Sequence, residues 1–292
     1  MNFAGDTIED LILCEDKRGV SQLRPFLPGD FCDRTARYVL KHPGRVAIIT
    51  GFYILTAGQH ETDGPPGALA IGNALQTLGN DVTYVTDVHT APMLRGWLGD
   101  SARVVEFPIA GDAESRTAAG ALIDELRPDL LISIERCGRN ASDVYLNMLS
   151  RDITEFTARL DYLFELGIPS VGIGDGGNEI GMGNVVEHIP PVATLPDEPA
   201  ISTVDRLLIA SVSNWGGYGL VAALSLLAGR NLLPSVEAEN RLITRMVDEG
   251  AVDGGSGLSR YYVDNFTLEE NGELLELLHQ KVNHGLAQGR RA

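Results

Sequence analysis

Short runs of β-branched residues and leucine alternate with helix-length segments from residue 45 onward, and this alternation constrains the fold more than any other feature. Such alternation is typical of βαβ units and of a parallel sheet. The predicted strands are 45–50, 81–86, 103–107, 129–134, 170–173 and 206–210. We therefore expect an α/β fold: a mainly parallel, twisted, doubly wound sheet of the Rossmann-like kind, with helices on both faces.

The segments between and around these runs predict the helices and the domain organisation. Helices are expected at 65–78, 115–126 and 154–166, the first with proline in its opening turn and Gly79 after its end. The tail at 268–282 has apolar residues at helical spacing, which predicts a helix that packs on the body or joins two copies in a homo-oligomer. Residues 1–44 are interpreted as a helical lead-in covering one edge, and 45–292 as a single α/β catalytic domain.

The charge balance restricts the class of partner. The 292 residues contain 40 acidic and 23 basic side chains, a formal net charge of -17. Such a chain repels phosphate backbones and anionic lipid head groups, so we expect neither nucleic acid nor a membrane surface as partner. A small anionic substrate would need a local cation, from arginine or from a metal.

The cysteines and the N-terminal residues predict the compartment. Cys14, Cys32 and Cys137 are odd in number and lack Cys-x-x-Cys spacing, which argues against a disulfide framework and a zinc ribbon. The first residues place acids around a short apolar run, unlike a signal or transit peptide. No apolar stretch is long enough to span a bilayer. A reducing, cytoplasmic location is the expectation.

Four predicted strands run into polar, glycine-rich segments at their carboxyl ends, which is where parallel sheets bind ligands. The candidate site residues in these segments are His60, Glu61, Asp63, Glu135, Arg136, Arg139, Asp175, Asn178, Glu179, Ser213 and Asn214. The oxygens of Asp175, Asn178 and Glu179 suit a hard cation such as Mg²⁺ or Mn²⁺. The alternative is that Asp175 belongs to a turn while Asn178 and Glu179 cap a helix.

Two cofactors are disfavoured by the residues around the glycines. Gly172, Gly174 and Gly177 match the spacing of a dinucleotide fingerprint, but Asp175 would lie inside the phosphate cradle and repel it, so NAD is not expected. Lysine occurs only at positions 17, 41 and 281, outside every glycine-rich segment. This position argues against a pyridoxal phosphate (PLP) Schiff base and a Walker-type phosphate loop.

The segment Glu135-Arg136-Cys137-Gly138-Arg139 has two open interpretations. The two guanidinium groups could clamp a substrate carboxylate, or they could form salt bridges with the surrounding acids. Cys137 is a weak candidate nucleophile because a two-cysteine racemase needs a partner thiol, and the other cysteines lie in the lead-in.

At these segments the sequence resembles the C-terminal domain family of D-glutamate cyclases. The resemblance rests on the strings TGFYILTAGQHETDGPPGA, LISIERCGRNASDVYLNM, VGIGDGGNEIGMGN, VSNWGGYGL and AVDGGSG, and it runs from about residue 45 to about residue 264. It implies a carbon–oxygen lyase (a hydro-lyase) that converts D-glutamate to 5-oxo-D-proline and water, with Mn²⁺ or Mg²⁺ in the acidic cleft. Some members carry this domain behind a larger hydro-lyase-like domain, so a separate partner of that kind is implied if that domain contributes to catalysis.

The chemistry of this cyclisation suggests roles for the candidate residues. The metal is expected on Asp175, Glu179 and Glu61 or Asp63; the α-carboxylate on Arg136 and Arg139, with Asn178 nearby; the amine proton on Glu135 or His60; and the developing oxyanion at Ser213 or Asn214. Two other functions stay open, a metal-dependent phosphohydrolase and a metal- or amino-acid-binding module without turnover.

Overall fold

The central element is a six-stranded parallel sheet in the computed structural model, which describes residues 5–289. Its strands are β1 (Arg45–Thr50), β4 (Asp81–Thr86), β5 (Arg103–Glu106), β6 (Leu130–Ile134), β7 (Ser170–Gly174) and β8 (Arg206–Ile209). Two short hairpins accompany it, β2 (Tyr53–Ile54) with β3 (Gln59–His60) and β9 (Tyr262–Val263) with β10 (Phe266–Thr267). The helices that flank the sheet are α1 (Ile8–Ile12), α2 (Phe31–Leu40), α3 (Pro65–Thr77), α4 (Ala91–Leu98), α5 (Asp112–Leu126), α6 (Ser213–Ala228), α7 (Val236–Asp248) and α8 (Leu268–Gly289). This is a Rossmann-like α/β fold, as predicted.

The order of the strands determines where a ligand can enter. Across the sheet the order is β5-β4-β1-β6-β7-β8, so the chain builds outward from β1 in one direction and then from β6 in the other. The loops that leave β1 and β6 therefore diverge, and a crevice opens at the carboxyl ends of these two strands. The register pairs Thr50 with Ile134, which brings the segments beginning at Gly51 and Glu135 to the same edge.

Helix α6 is buried on nearly every side although its first turns are rich in glycine. A Cβ at Gly217 would lie 2.9 Å from the Cα of Gly67 in α3, and one at Gly216 would lie 2.6 Å from Ile173 in β7. These glycines lower helix propensity, but they let the backbone of α6 approach α3 and the sheet closely. The sequence had predicted only a polar junction there, because glycine is a poor helix signal.

The lead-in packs into the same core as the sheet. Helix α1 buries Ile8 and Ile12 against α6, where a Cβ on Gly219 would lie 3.0 Å from the side chain of Ile12. Helix α2 packs on α6 and on the edge strand β8. Residues 5–44 thus cover the β8 edge, as expected, and the domain boundary at residue 44 stays a prediction.

Residues 154–166 do not form the predicted α-helix. They form two short 3₁₀ segments, Thr154–Phe156 and Leu160–Glu165, with Thr157 extended between them. The reason is tertiary: the hydroxyl of Thr154 accepts the backbone N–H of Tyr145, and the carboxylate of Asp161 accepts the hydroxyl of Tyr145. These bonds tie the segment to the preceding loop and prevent a continuous helix.

The tail forms the long helix α8, whose Leu274, Leu275, Leu278 and Val282 are fully buried among helices of the same chain. These residues pack within the chain, so they do not offer a surface to a second copy. No described helix combines the length and the apolar character needed to cross a membrane. The three cysteines are free.

Candidate active site

A cavity of about 360 Å³ opens at the crevice beyond β1 and β6. Its wall combines the loop after β1, the segment after β6, the hairpin β9–β10 and a turn of the lead-in. The polar side chains in that wall include Lys17, Arg18, Glu61, Glu135, Asn178, Ser211 and Asp264.

Five carboxyl groups meet behind and along this wall, those of Glu61, Asp63, Glu135, Asp175 and Asp264. None is more than 5% exposed. Oxygens of Asp63, Glu135 and Asp175 lie within 4.8 Å of one another. Glu61, Glu135 and Asp264 reach the cavity, whereas Asp63 and Asp175 lie behind it.

Asp63 and Asn214 join the beginnings of two helices. The carboxylate of Asp63 accepts the backbone N–H groups of Ser213 and Asn214, at 2.8 and 2.7 Å, which caps the first turn of α6. In return the side-chain oxygen of Asn214 accepts the N–H groups of Gly64 and Gly67, at 2.9 and 2.8 Å, where α3 begins. Burial has the largest effect and raises the pKa of Asp63 to about 7. The two backbone hydrogen bonds from α6 have the opposite effect.

Glu135 occupies the left-handed region, with φ of 45°. A residue with a side chain is strained there, and such strain is often found at functional sites. Its carboxylate accepts the hydroxyl of Ser213 at 2.5 Å. Burial and the nearby Glu179 and Asp63 carboxylates raise the pKa of Glu135 well above its ordinary value.

Glu61 is buried beside several other carboxyl groups. Burial first, and then the charges of Glu135, Asp264 and Asp63, raise its pKa well above the ordinary value. Its carboxylate lies where Gly254 leaves room, because a Cβ at Gly254 would come within 1.7 Å of Glu61 Oε2. The Gly254 segment is held beside Glu61 by a short parallel bridge between Glu61 and Val252.

Arg18 supplies a cation that the sequence did not predict at this site. Its guanidinium group forms ion pairs with Asp175 and with Asp264, the latter at 2.8 Å, and 21% of its side chain is exposed. Burial and the neighbouring Glu135 raise the pKa of Asp175, although Arg18 acts in the opposite direction. No local pattern marks Arg18 or Asp264 as site residues, since one lies in the lead-in and the other in the Asp264-Asn265 turn of the β9–β10 hairpin.

Glu179 organises the loop that follows β7. Its carboxylate accepts the backbone N–H groups of Asp175, Gly176 and Gly177, at 3.2, 2.7 and 2.8 Å. In a dinucleotide site these amides would face a phosphate, but here they are bonded to a carboxylate of the same loop. The segment after it is the 3₁₀ stretch Met182–His188, not the α-helix of a dinucleotide fold.

The two arginines of the predicted clamp are engaged elsewhere. Arg136 is buried, pairs with Asp87 at 2.6 Å and donates to the carbonyls of Gly51 and Ala158. Arg139 pairs with Asp143, Asp161 and Glu165. The salt-bridge alternative therefore describes both side chains, and neither lines the cavity.

The surroundings of three further candidates, Asn178, Cys137 and His60, do not favour the roles considered for them. Asn178 reaches the cavity wall, and its amide donates to the Leu146 carbonyl at 2.9 Å. Burial raises the pKa of the Cys137 thiol well above its ordinary value, and burial lowers the pKa of His60 to about 4. Lys17 lines the cavity although it lies outside the glycine-rich segments of the sequence.

The carboxylate cluster fits a divalent cation. Asp63, Glu135 and Asp175 offer hard oxygen ligands at suitable mutual distances, and Oδ2 of Asp175 is buried without a hydrogen-bond partner in the described chain. Of the predicted ligands Asp175, Glu179 and Glu61 or Asp63, Asp175 and Asp63 belong to this group, whereas Glu179 and Glu61 do not.

The sequence is similar to that of a known protein along most of its length. The chain is 32% identical over 282 residues to the human protein named "D-glutamate cyclase, mitochondrial", an alignment that covers 82% of this chain and 46% of that protein. The chain thus spans about half the length of the curated relative it matches.

Solved structures share less with the chain. UDP-glucose 4-epimerase from Stenotrophomonas maltophila has 17% identity and a TM-score of 0.25, covering 45% of this chain and 37% of that one. An actinorhodin polyketide ketoreductase has 15% identity and a TM-score of 0.30, covering 84% and 92%. Likenesses this weak support no inference about the chain. The family described as "D-glutamate cyclase-like, C-terminal" matches residues 8–279, and the chain belongs to that family.

Proposed function

We propose that this protein converts D-glutamate to 5-oxo-D-proline and water, as a hydro-lyase. Family membership and the name of the human relative support the reaction class. The observation that carries the proposal is the position of Glu61, a carboxyl group with a strongly raised pKa in the wall of a cavity that also contains a cationic side chain.

The reaction requires proton transfer at two positions of the substrate. The α-nitrogen must lose two protons as it forms a bond to the carbon of the γ-carboxyl group, and one oxygen of that group must gain two as it leaves as water. A carboxyl group with a raised pKa is a better base when ionised, and in its protonated form it can donate to a leaving oxygen. Glu61 can therefore take a proton from the ammonium group and deliver it to the leaving oxygen.

His60, the other residue of the same hairpin considered for this role, suits it less. It does not line the cavity, and burial lowers its pKa to about 4. Ser213 is also unsuited to stabilising an oxyanion while its hydroxyl donates to Glu135.

A divalent cation, Mn²⁺ or Mg²⁺, is part of the proposal. Asp63, Glu135 and Asp175 would hold it, and when bound it would supply Lewis-acid polarisation of the substrate carboxylate. The chain's own contribution is to keep these ligands in place: the first turn of α6 orients Asp63, and Ser213 orients Glu135.

The test is a product assay on metal-free protein and on protein loaded with Mn²⁺ or Mg²⁺. Each form is incubated with D- and with L-glutamate, and 5-oxoproline is followed by chiral chromatography. Metal-dependent product from the D isomer is expected. Glu61→Gln should lower kcat by at least about 100-fold, the usual size of a general acid–base contribution.

Glu239→Gln is the matched control, because Glu239 is a buried glutamate in α7 whose pKa is raised to about 7 and which does not line the cavity. Its activity should stay near that of the unmodified protein. No product from either isomer with any metal, alone or with a hydro-lyase-like partner added, would contradict the proposal. Phosphate release from monoesters would instead support a phosphohydrolase, and amino-acid binding without product would support a binding module.

A further inference from the structure

Two cationic side chains line the cavity in the described chain, Lys17 and Arg18, and they differ in their partners. Lys17, the neighbouring cation in the wall, is engaged by the carbonyl of Asn265 at 3.0 Å and by the ring of Phe266. The guanidinium of Arg18 contacts only carboxylates in the described contacts, those of Asp175 and Asp264. It is therefore the cation best placed to meet an anionic ligand.

The backbone around Arg18 is fixed, although its side chain is long. The carboxylate of Asp16 accepts the N–H groups of Arg18, Gly19 and Ser21, at 2.9, 2.7 and 2.8 Å. Gly19 has φ of +89°, and the hydroxyl of Thr194 donates to the carbonyl of Arg18. This turn presents Arg18 to the cavity and limits the freedom it must lose on binding.

Asp264 provides a site for the opposite charge. It reaches the cavity wall, it is 5% exposed, and its Oδ2 has no hydrogen-bond partner in residues 5–289. The hydroxyl of Ser211, also in the wall and 4% exposed, likewise has no partner there. Buried polar atoms without partners are uncommon, and they point to a ligand that completes their bonds.

We propose that Arg18 binds the α-carboxylate of an amino-acid ligand while Asp264 takes its α-ammonium group. A zwitterion that enters between the two side chains replaces one ion pair with two, so no charge is left buried and unpaired. The planar guanidinium suits a carboxylate, which it can contact through two parallel bonds. This assignment rests on the proposed function for the identity of the ligand, but it concerns binding and not turnover.

The experiment measures binding with ligands that cannot cyclise. D-norvaline has the five-carbon chain of D-glutamate but no γ-carboxyl group, and D-norvalinamide lacks the α-carboxylate as well. Both are titrated calorimetrically into the metal-free full chain, in the unmodified form and in Arg18→Gln, Arg18→Lys and Arg24→Gln. Arg24 is the matched control, since it pairs with Asp10 in the same lead-in and does not line the cavity.

The unmodified protein should bind D-norvaline more tightly than D-norvalinamide. Arg18→Gln should reduce this ratio of affinities by about tenfold to a hundredfold, as expected for a hydrogen bond between charged groups. Arg18→Lys, which keeps the charge but not the fork, should retain part of it, and Arg24→Gln all of it. Thermal unfolding of each variant checks that it is folded. If Arg18→Gln fails to fold, the comparison of Arg18→Lys with Arg24→Gln decides.

An unchanged preference in folded Arg18 variants, or no preference in the unmodified protein, overturns the inference. The product assay with D-glutamate separates this from the proposed function. Product from D-glutamate, together with binding that does not depend on Arg18, would support the proposed function and contradict this inference. Binding that depends on Arg18, without product from D-glutamate, would support this inference and contradict the proposed function.

Discussion

Glu61 and Glu179 are two glutamates that are buried to a similar degree but have different partners. Both are almost fully buried at the carboxyl edge of the sheet. Glu179 accepts three backbone N–H groups, so its charge is compensated by hydrogen bonds within its own loop. Glu61 instead faces other carboxylates, and its pKa is raised by burial and by their charges. The first arrangement stabilises a loop, and the second raises the affinity of a carboxyl group for a proton.

Glu61→Gln should stabilise the metal-free protein at high pH. Because the folded-state pKa of Glu61 is raised, the folded protein binds this proton more tightly than the unfolded chain does. Stability is therefore lost as pH rises from the ordinary pKa of glutamate through the folded-state value. The variant avoids that loss, by about 1 kcal/mol or more at pH 8.5, since one pKa unit corresponds to about that energy.

Urea unfolding at pH 5 and pH 8.5 measures this effect. The difference between Glu61→Gln and the unmodified protein should be larger at pH 8.5. An equal difference at both pH values would show that the charge of Glu61 is compensated in the folded state.

Glu179→Gln should destabilise the protein, because an amide offers only one acceptor oxygen to the three N–H groups and turns donors toward the others. We expect a loss of about 1–3 kcal/mol in the free energy of unfolding, measured by urea denaturation. Glu187→Gln, an exposed position in the following 3₁₀ segment, is the control and should change stability by less than about 0.5 kcal/mol. A similar small effect for Glu179→Gln would exclude its role in holding the loop.

At the scale of elements, the crossing of α3 and α6 determines the geometry of the site. Both helices begin at the crevice, and Asp63 and Asn214 bind the first turn of the opposite helix. Their backbones approach each other closely at Gly67 and Gly217, where a side chain would not fit without a shift. A change in the distance between the helices would therefore move Asp63 relative to Glu135 and Asp175.

Gly217→Ala and Gly120→Ala should have opposite effects although both replace a helical glycine. In α6 the new methyl group would lie 2.9 Å from the Gly67 backbone and should destabilise the protein by about 1–3 kcal/mol. In α5 Gly120 has open space around it, so alanine should stabilise by about 0.5–1 kcal/mol. Thermal unfolding measures both, and a stable Gly217→Ala protein would mean that the two helices separate easily.

At the scale of the whole molecule, the lead-in belongs to the core and to the site at once. Ile12 packs on α6, the carbonyl of Ile12 accepts the N–H of Ser211 at 2.9 Å, and Arg18 reaches the acids of the cleft. These contacts connect the first described helix to the strand end at β8. We therefore expect the lead-in to unfold together with the sheet.

Ile12→Ala should lower the free energy of unfolding by about 2–5 kcal/mol, the range for loss of a large buried aliphatic side chain. Circular dichroism and the fluorescence of Trp97 and Trp215 should report one shared transition before and after the substitution. Two separate transitions would instead support residues 1–44 as an independent unit. Leu40→Ala, an exposed position at the end of α2, is the control and should have little effect.

The strands were predictable because most of them are short runs rich in β-branched residues and leucine, as buried parallel strands are. The predicted and observed bounds of all six differ by at most one residue. Helices were less predictable wherever tertiary contacts override local preference. The glycines of α6 predict a turn, yet burial against α3 and the sheet makes that segment helical, while bonds to Tyr145 break the predicted helix at 154–166.

For the site, the sequence predicts that acids gather at one edge of the sheet, since the carboxyl ends of parallel strands necessarily meet there. It therefore indicated Glu61, Asp63, Glu135 and Asp175. The tertiary structure sets which charges face each other, because ion pairing depends on distances between segments far apart in the chain. It turned Arg136 and Arg139 toward other acids, bound Glu179 to its own loop, and placed Arg18 and Asp264, from opposite ends of the chain, together at the cleft.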